Sequence, residues 1–443
     1  MSRVPSRTPD APLRANVRLL GEILGEVLAE QEGEELLRVE ERIRLLARLG
    51  RRGDDGASRA LAETIAALDV DAQAVVLRAF TMYFHLANIA EQHHRTRRRH
   101  EQEREGATLR ESLDEALLQL EAEGVGEEEL RAAAARVSVE LVLTAHPTEA
   151  LPRTILEKHR ALAELVAALD DPRLTVGERE RVERRLGEEI TLLWQTDEVR
   201  SQRPRVVDEI RQGLWFLEQS LWDAAPALVE AWRERLGPSS PLRFGSWIGG
   251  DLDGNPNAGP ETVREAVERS AAAVRDLLRR DVRALAGSWG ISTTLVDADP
   301  AVGDVDLPAD RNATEPYRRR LTALWDGLGA DRYRAADEVA QELDVVERSL
   351  RAHRGARVAD GGLAALRRRL DVFGLHGASL ELRLHATTLR DDPERTAAVL
   401  AEASALQRER GTACIDRLVV SMTHAAEDVL LAEGLAAGAG LEV

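Results

Sequence analysis

Three short stretches carry side chains suited to chemistry on anions. The first, Leu141-Val-Leu-Thr-Ala-His146-Pro147-Thr148-Glu149, ends an apolar run in a histidine followed by proline. Proline suits the first position of a helix and Glu149 can reach back to an exposed N–H, so the spacing predicts His146 at a helix N-cap. There the helix dipole disfavours a second ring proton, and a neutral imidazole acts as general base or hydrogen-bond donor according to its tautomer. A histidine that merely caps the helix is the alternative. The second stretch, Phe244-Gly-Ser-Trp-Ile-Gly-Gly-Asp-Leu-Asp-Gly-Asn-Pro-Asn257, interleaves four glycines with aspartate and asparagine. Tight turns and close main-chain approach follow. A Walker loop needs lysine after its last glycine, whereas Gly250 is followed by Asp251 and Leu252. A calcium loop begun at Asp251 needs glycine and glutamate where Pro256 and Thr262 stand. What remains is a rigid loop in which Gly249, Gly250, Asp251, Asp253 and Asn255 shape a pocket or support their neighbours. The third stretch, Ala378-Ser-Leu-Glu-Leu-Arg-Leu-His385, alternates, so Arg383 and His385 share a face. Arginine presents a planar fork that matches phosphate or carboxylate, and an ordinary salt bridge is its other use.

Elements of two kinds must position these groups. Four β-rich stretches, Val137–Leu143, Leu242–Ile248, Ala378–Leu384 and Leu418–Met422, each run into a turn signal. Long helical sequence separates them, so neighbouring strands are expected to be parallel. Apolar residues recur at three and four through Pro12–Leu49, Ala57–Arg99, Leu109–Glu123, Arg153–Leu169, Val176–Trp194, Asp208–Leu236, Pro260–Ala286, Glu315–Leu328 and Ala335–His353. Loops are expected at Gly237–Pro241, Asp297–Arg311 and His353–Gly362. The fold class is therefore α/β and predominantly helical. It reads as one domain over 1–443, a helical region to residue 135 followed by strands and helices from 136 onward. In such folds the chemistry collects at the C-terminal ends of the strands, where all three stretches lie.

Composition bounds the partners. The 443 residues carry a formal charge of −18 with only 3% aromatics, so no nucleic acid and no membrane is expected as partner. No apolar run approaches the ~20 residues of a membrane span. A lone Cys414 excludes an intrachain disulfide, and the first residues lack a secretory core, which points to the cytoplasm. Of the 60 basic residues only Lys158 is lysine. The run His93–His100 lacks aromatic stacking and a completing carboxylate or cysteine, so it reads as a basic helical face or a salt-bridge cluster rather than a metal or nucleic-acid site. The charge-dense junction Thr196–Pro204 holds arginines of second rank as anion contacts.

Taken together these motifs resemble phosphoenolpyruvate carboxylases. Val142–Glu149 is similar to one family signature and Gly245–Asn257 to another, with further likeness at Ala87–Arg95, Trp194–Arg200, Val372–Gly374 through Arg383, and Val419–Thr423. The resemblance runs from about Pro12 to the last residue. It implies carboxylation of phosphoenolpyruvate by bicarbonate to oxaloacetate and phosphate, with Mg2+ or Mn2+, in an eight-stranded barrel surrounded by helices. It also implies a homotetramer in the cytoplasm. By resemblance His146 is the catalytic histidine acting on carboxyphosphate and the CO2 it releases, and Arg383 is the substrate-binding arginine.

The sequence departs from the family at Leu252, usually arginine, and Leu384, usually glutamine. The family's later motifs, with their catalytic lysine and metal-binding carboxylates, do not occur. The resemblance thus implies an N-terminal portion with about four parallel strands of a partial barrel, without metal ligands and inactive alone. A subunit pairing with a separately encoded C-terminal half, or a non-catalytic scaffold, are the alternatives.

Overall fold

The computed structural model describes residues 10–144, 151–197, 204–253 and 255–443. They divide into two compact units, Met1–Gln119 with Leu151–Ser201, and Leu120–Ala150 with Gln202–Val443.

The first unit is a helical bundle of Ala11–Glu32, Glu34–Gly50, Asp55–Ala66, Val70–Arg104, Arg153–Ala168 and Val176–Trp194. The three-and-four spacing of Leu20, Leu24, Val27 and Leu28 buries one face against Met82, Leu86 and Ile190. Two helical patterns that read as continuous are broken. Gly33 turns the chain at φ +91°, a left-handed value natural to glycine. At 67–69 the Asp69 side chain accepts from the N–H of Ala72 and starts a new helix. The basic run forms an inter-element salt-bridge cluster. His93 Nε2 lies 2.7 Å from Asp170, and Arg97 donates to both oxygens of that carboxylate at 2.9 Å.

The second unit holds four parallel strands in the order β1–β2–β3–β4: β1 (Val139–Leu143), β2 (Leu242–Ser246), β3 (Ser379–His385) and β4 (Arg417–Ser421). Each lies where the sequence places it, with ends moved by one or two residues. β4 stops before Met422 because φ there is +52°, which ends extended backbone. Alternation gives the sheet two unlike faces. On one, Leu380, Leu382 and Leu384 are buried among residues of helices Pro260–Ser288, Pro393–Arg410 and Ala426–Ala439. On that side Phe244 also stacks on Phe373, which stacks on Trp222, with centroids 5.4 and 4.9 Å apart. The other face carries Glu140, Arg243, Glu381, Arg383 and Arg417. Three strand spacings and a register offset of four residues put the Glu140 and Arg417 backbones about 20 Å apart in a flat sheet, beyond the reach of the two side chains, yet Arg417 Nη1 lies 2.6 Å from Glu140 Oε2. The sheet is curled toward its polar face.

Two of the three expected loops differ. Asp297–Arg311 contains the short helix Pro300–Gly303 and is tied down by Arg319, whose guanidinium donates to the carbonyls of Gly303, Leu307 and Arg311 at 3.1, 2.6 and 3.1 Å. The segment expected as loop at His353–Gly362 is mostly helical. Ala356–Val358 runs into a π-turn at Ala359–Leu363, because Ala359 and Leu363 are buried and draw the chain onto the core. Among the described residues no helix is long and apolar enough to cross a membrane.

Candidate functional site

The site is built where β2 leaves the sheet. Trp247 N–H donates to Leu143 O at 2.9 Å, and the chain then turns through residues 248–250. Gly249 adopts φ +94°, and a Cβ there would stand 2.6 Å from that of Ala266. A Cβ on Gly250 would stand 2.4 Å from the carbonyl oxygen of Glu381. Only glycine allows this approach. The ladder with β3 then resumes, as Arg383 N–H donates to Gly250 O and Leu252 N–H to Arg383 O, each at 2.9 Å. The turn thus delivers Asp251 and Asp253 to the strand end that carries Arg383.

Arg383 is the centre of the cluster. Its Nη1 lies 3.1 Å from Asp251 Oδ2 and its Nη2 2.7 Å from Asp253 Oδ2. Its guanidinium carbon stands 4.8 Å from the centroid of the Trp247 ring, within cation–π range. Trp247 Nε1–H donates to Glu381 Oε2 at 2.6 Å, and Arg417 Nη1 donates to Glu381 Oε1 at 3.0 Å. The Glu140 carboxylate beside Arg417 holds that guanidinium's proton more firmly than usual. On helix Val206–Phe216, burial first and then the charges of Asp208 and Asp251 push the Glu209 carboxyl up.

The other sequence-derived residues fall around this centre. Asn255 supports the loop: its side chain accepts from Asn257 N–H at 3.0 Å, and its carbonyl and that of Ala258 accept from Arg395 at 3.1 and 2.6 Å. His385 caps helix Ala386–Asp391, its Nδ1 accepting from Thr387 N–H at 3.1 Å. Leu252 and Leu384, at the two departures, are 4% and 1% exposed and belong to the core beneath the sheet. His146 lies outside the described residues, as do Arg200 and Arg203 of the charge-dense junction.

No three His, Cys, Asp or Glu side chains that could hold a metal ion come together among the described residues. Asp251 and Asp253 are engaged by Arg383, which leaves them a poor donor pair for a cation. Sequence reasoning did not single out Trp247, Glu381, Arg417 or Glu140. The signal for Glu381 was present, since it stands two residues before Arg383 in an alternating strand.

Residues 13–392 match the family described as Phosphoenolpyruvate carboxylase. The chain belongs to the phosphoenolpyruvate carboxylase family. It is 36% identical over 419 residues to the phosphoenolpyruvate carboxylase of Ectopseudomonas mendocina, covering 89% of this chain and 46% of that protein. With that of Alcanivorax borkumensis it shares 36% over 403 residues, covering 86% and 45%. With that of Stutzerimonas stutzeri it shares 33% over 501 residues, covering 98% and 56%. The chain thus spans about half the length of the phosphoenolpyruvate carboxylases it matches.

Proposed function

We propose that this chain serves the carboxylation of phosphoenolpyruvate by bicarbonate, giving oxaloacetate and phosphate, with Arg383 as an anion contact. The observation that carries the reading is the state of Arg383, at the C-terminal end of a parallel strand, on the polar face of the sheet, its two terminal nitrogens 3.1 and 2.7 Å from carboxylate oxygens. Phosphate and carboxylate offer the same pair of oxygens, so a substrate anion exchanges with Asp251 and Asp253 for one fork. Phosphoryl transfer to bicarbonate gathers negative charge that a held guanidinium stabilises. His146, three residues beyond the end of β1, takes the general-base role on carboxyphosphate and the CO2 it releases. Mg2+ or Mn2+ would neutralise phosphate charge in the reaction.

The four strands are read as part of a (β/α) barrel, preceded by a helical region over 1–135. Supporting this are the sequential parallel order, the helices packed on the apolar face, and the curl that brings Arg417 to Glu140. A homotetramer in the cytoplasm completes the reading. Oxaloacetate formation coupled to NADH oxidation, with Mg2+, tests it. Turnover is expected when the chain is combined with a polypeptide carrying the remaining length of a relative, and not from the chain alone. Turnover by the chain alone that His146→Ala abolishes would overturn the second expectation, and a combination whose turnover survives Arg383→Gln would overturn the role of Arg383.

A further inference from the structure

We propose that Glu381 and Arg417 are positioning residues for the anion site, acting on Arg383 through the indole of Trp247. The inference rests on the reading of Arg383 as an anion contact and extends it to a network behind that residue.

Glu381 is a charged side chain only 3% exposed, in the middle of β3. Burying a carboxylate is costly unless it is paired, and an apolar pair of similar volume commonly serves stability as well or better. Stability alone is therefore a weak reason for this group. Its two oxygens are both engaged, and in different directions. Oε1 accepts from Arg417 at 3.0 Å on β4, while Oε2 accepts from Trp247 Nε1–H at 2.6 Å. Arg417 is itself anchored on the far strand by Glu140, at 2.6 Å.

The span across the sheet needs room, and Gly245 on β2 supplies it. A Cβ at that position would lie 2.9 Å from Glu381 Oε1 and 3.1 Å from Glu140 Oε1, inside the network. The carboxylate so fixed pins the indole N–H, and a pinned indole keeps its ring beside Arg383, 4.8 Å from the guanidinium carbon.

This matters at one moment. While Asp251 and Asp253 hold the fork, Arg383 needs no further guide. When an anion takes their place, the carboxylates release the guanidinium, and the Trp247 ring is what remains to keep its plane. Glu381 and Arg417 touch neither the anion nor Arg383 directly, so their effect is on orientation rather than on charge.

The test uses the full 443-residue chain and inorganic phosphate as probe, with affinity from calorimetry and the Trp247 indole N–H resonance, identified with Trp247→Phe, as a second readout. Glu381→Ala is expected to weaken phosphate binding about tenfold, the loss of one charge-assisted hydrogen bond, and to move the indole resonance. Glu381→Gln, whose amide oxygen still accepts from the indole, is expected to retain most of the affinity. Arg417→Lys is expected to restore what Arg417→Ala loses, and that pair decides the matter if Glu381→Ala does not fold. Wild-type affinity in Glu381→Ala and Arg417→Ala, with binding lost in Arg383→Gln, overturns the positioning role and leaves the Arg383 reading intact. No phosphate binding by the wild type, or binding unchanged in Arg383→Gln, overturns both.

Discussion

Arg383 shows how an isolated cation is kept in an acidic protein. Asp251 and Asp253 neutralise it, so on the proposed reading they compete with any anion that binds there. Removing one competitor is therefore expected to help binding: Asp253→Asn should tighten inorganic phosphate about three- to fivefold in calorimetry, a modest gain because the pair is partly exposed. An unchanged or weaker affinity would show that Asp253 orients the fork more than it blocks it. Cys414 is a different case, since burial pushes its thiol up to about 12 and the thiolate is the reactive form. Aromatic disulfide reagents should label it only once denaturant is added, and rapid labelling of the native chain would contradict that. At His159, packed against His85 with centroids 4.7 Å apart, burial and then the neighbouring ring push the pKa down to about 4 from 6.5. Between those values the unfolded chain takes up a proton that the folded chain refuses, so stability falls as pH drops from about 6.5 toward 4. Urea unfolding followed by circular dichroism should show this, and His159→Gln should flatten part of that pH dependence.

At the scale of elements, the turn after β2 shows why glycine spacing was informative. Gly249 is held at φ +94° against Ala266, so Gly249→Ala combines backbone strain with overpacking. A loss of about 1–3 kcal/mol in chemical denaturation is expected. Stability within error of the wild type would mean that the loop relaxes freely. The four strands and most long helices were legible because a buried strand and an amphipathic helix leave distinct spacings. Helices Pro393–Arg410 and Ala426–Ala439 were not singled out. The second, AEDVLLAEGLAAGA, has small or apolar residues nearly all round, with little contrast between its faces. The helical turn at Ala359–Leu363 was hidden by Gly361 and Gly362, which read locally as loop, and it exists because core burial overrides that preference.

For the molecule as a whole, a formal charge of −18 is compatible with anion chemistry only if a cation is presented locally, and on the proposed reading Arg383 is that cation. The same sheet has β1 and β4 at its edges, with Val139 and Leu141 46% and 48% exposed on β1 and Met422 59% exposed after β4. Unpaired edges beside apolar side chains invite pairing between chains. Light scattering of the 443-residue chain should therefore show concentration-dependent association that Leu141→Lys reduces, and a mass independent of concentration would refute this. The sequence by itself determined the family, the parallel helical α/β class and the candidacy of Arg383, because motif, spacing and alternation are local properties of the chain. Only the tertiary structure decided which side chains Arg383 meets and that Leu252 and Leu384 turn into the core. It also brought Glu140, Glu381 and Arg417 into one network under Trp247. Apart from the Arg417–Glu381 pair, 36 positions apart, those contacts join residues more than a hundred positions apart, and all depend on the register and curl of a sheet, which no local pattern contains.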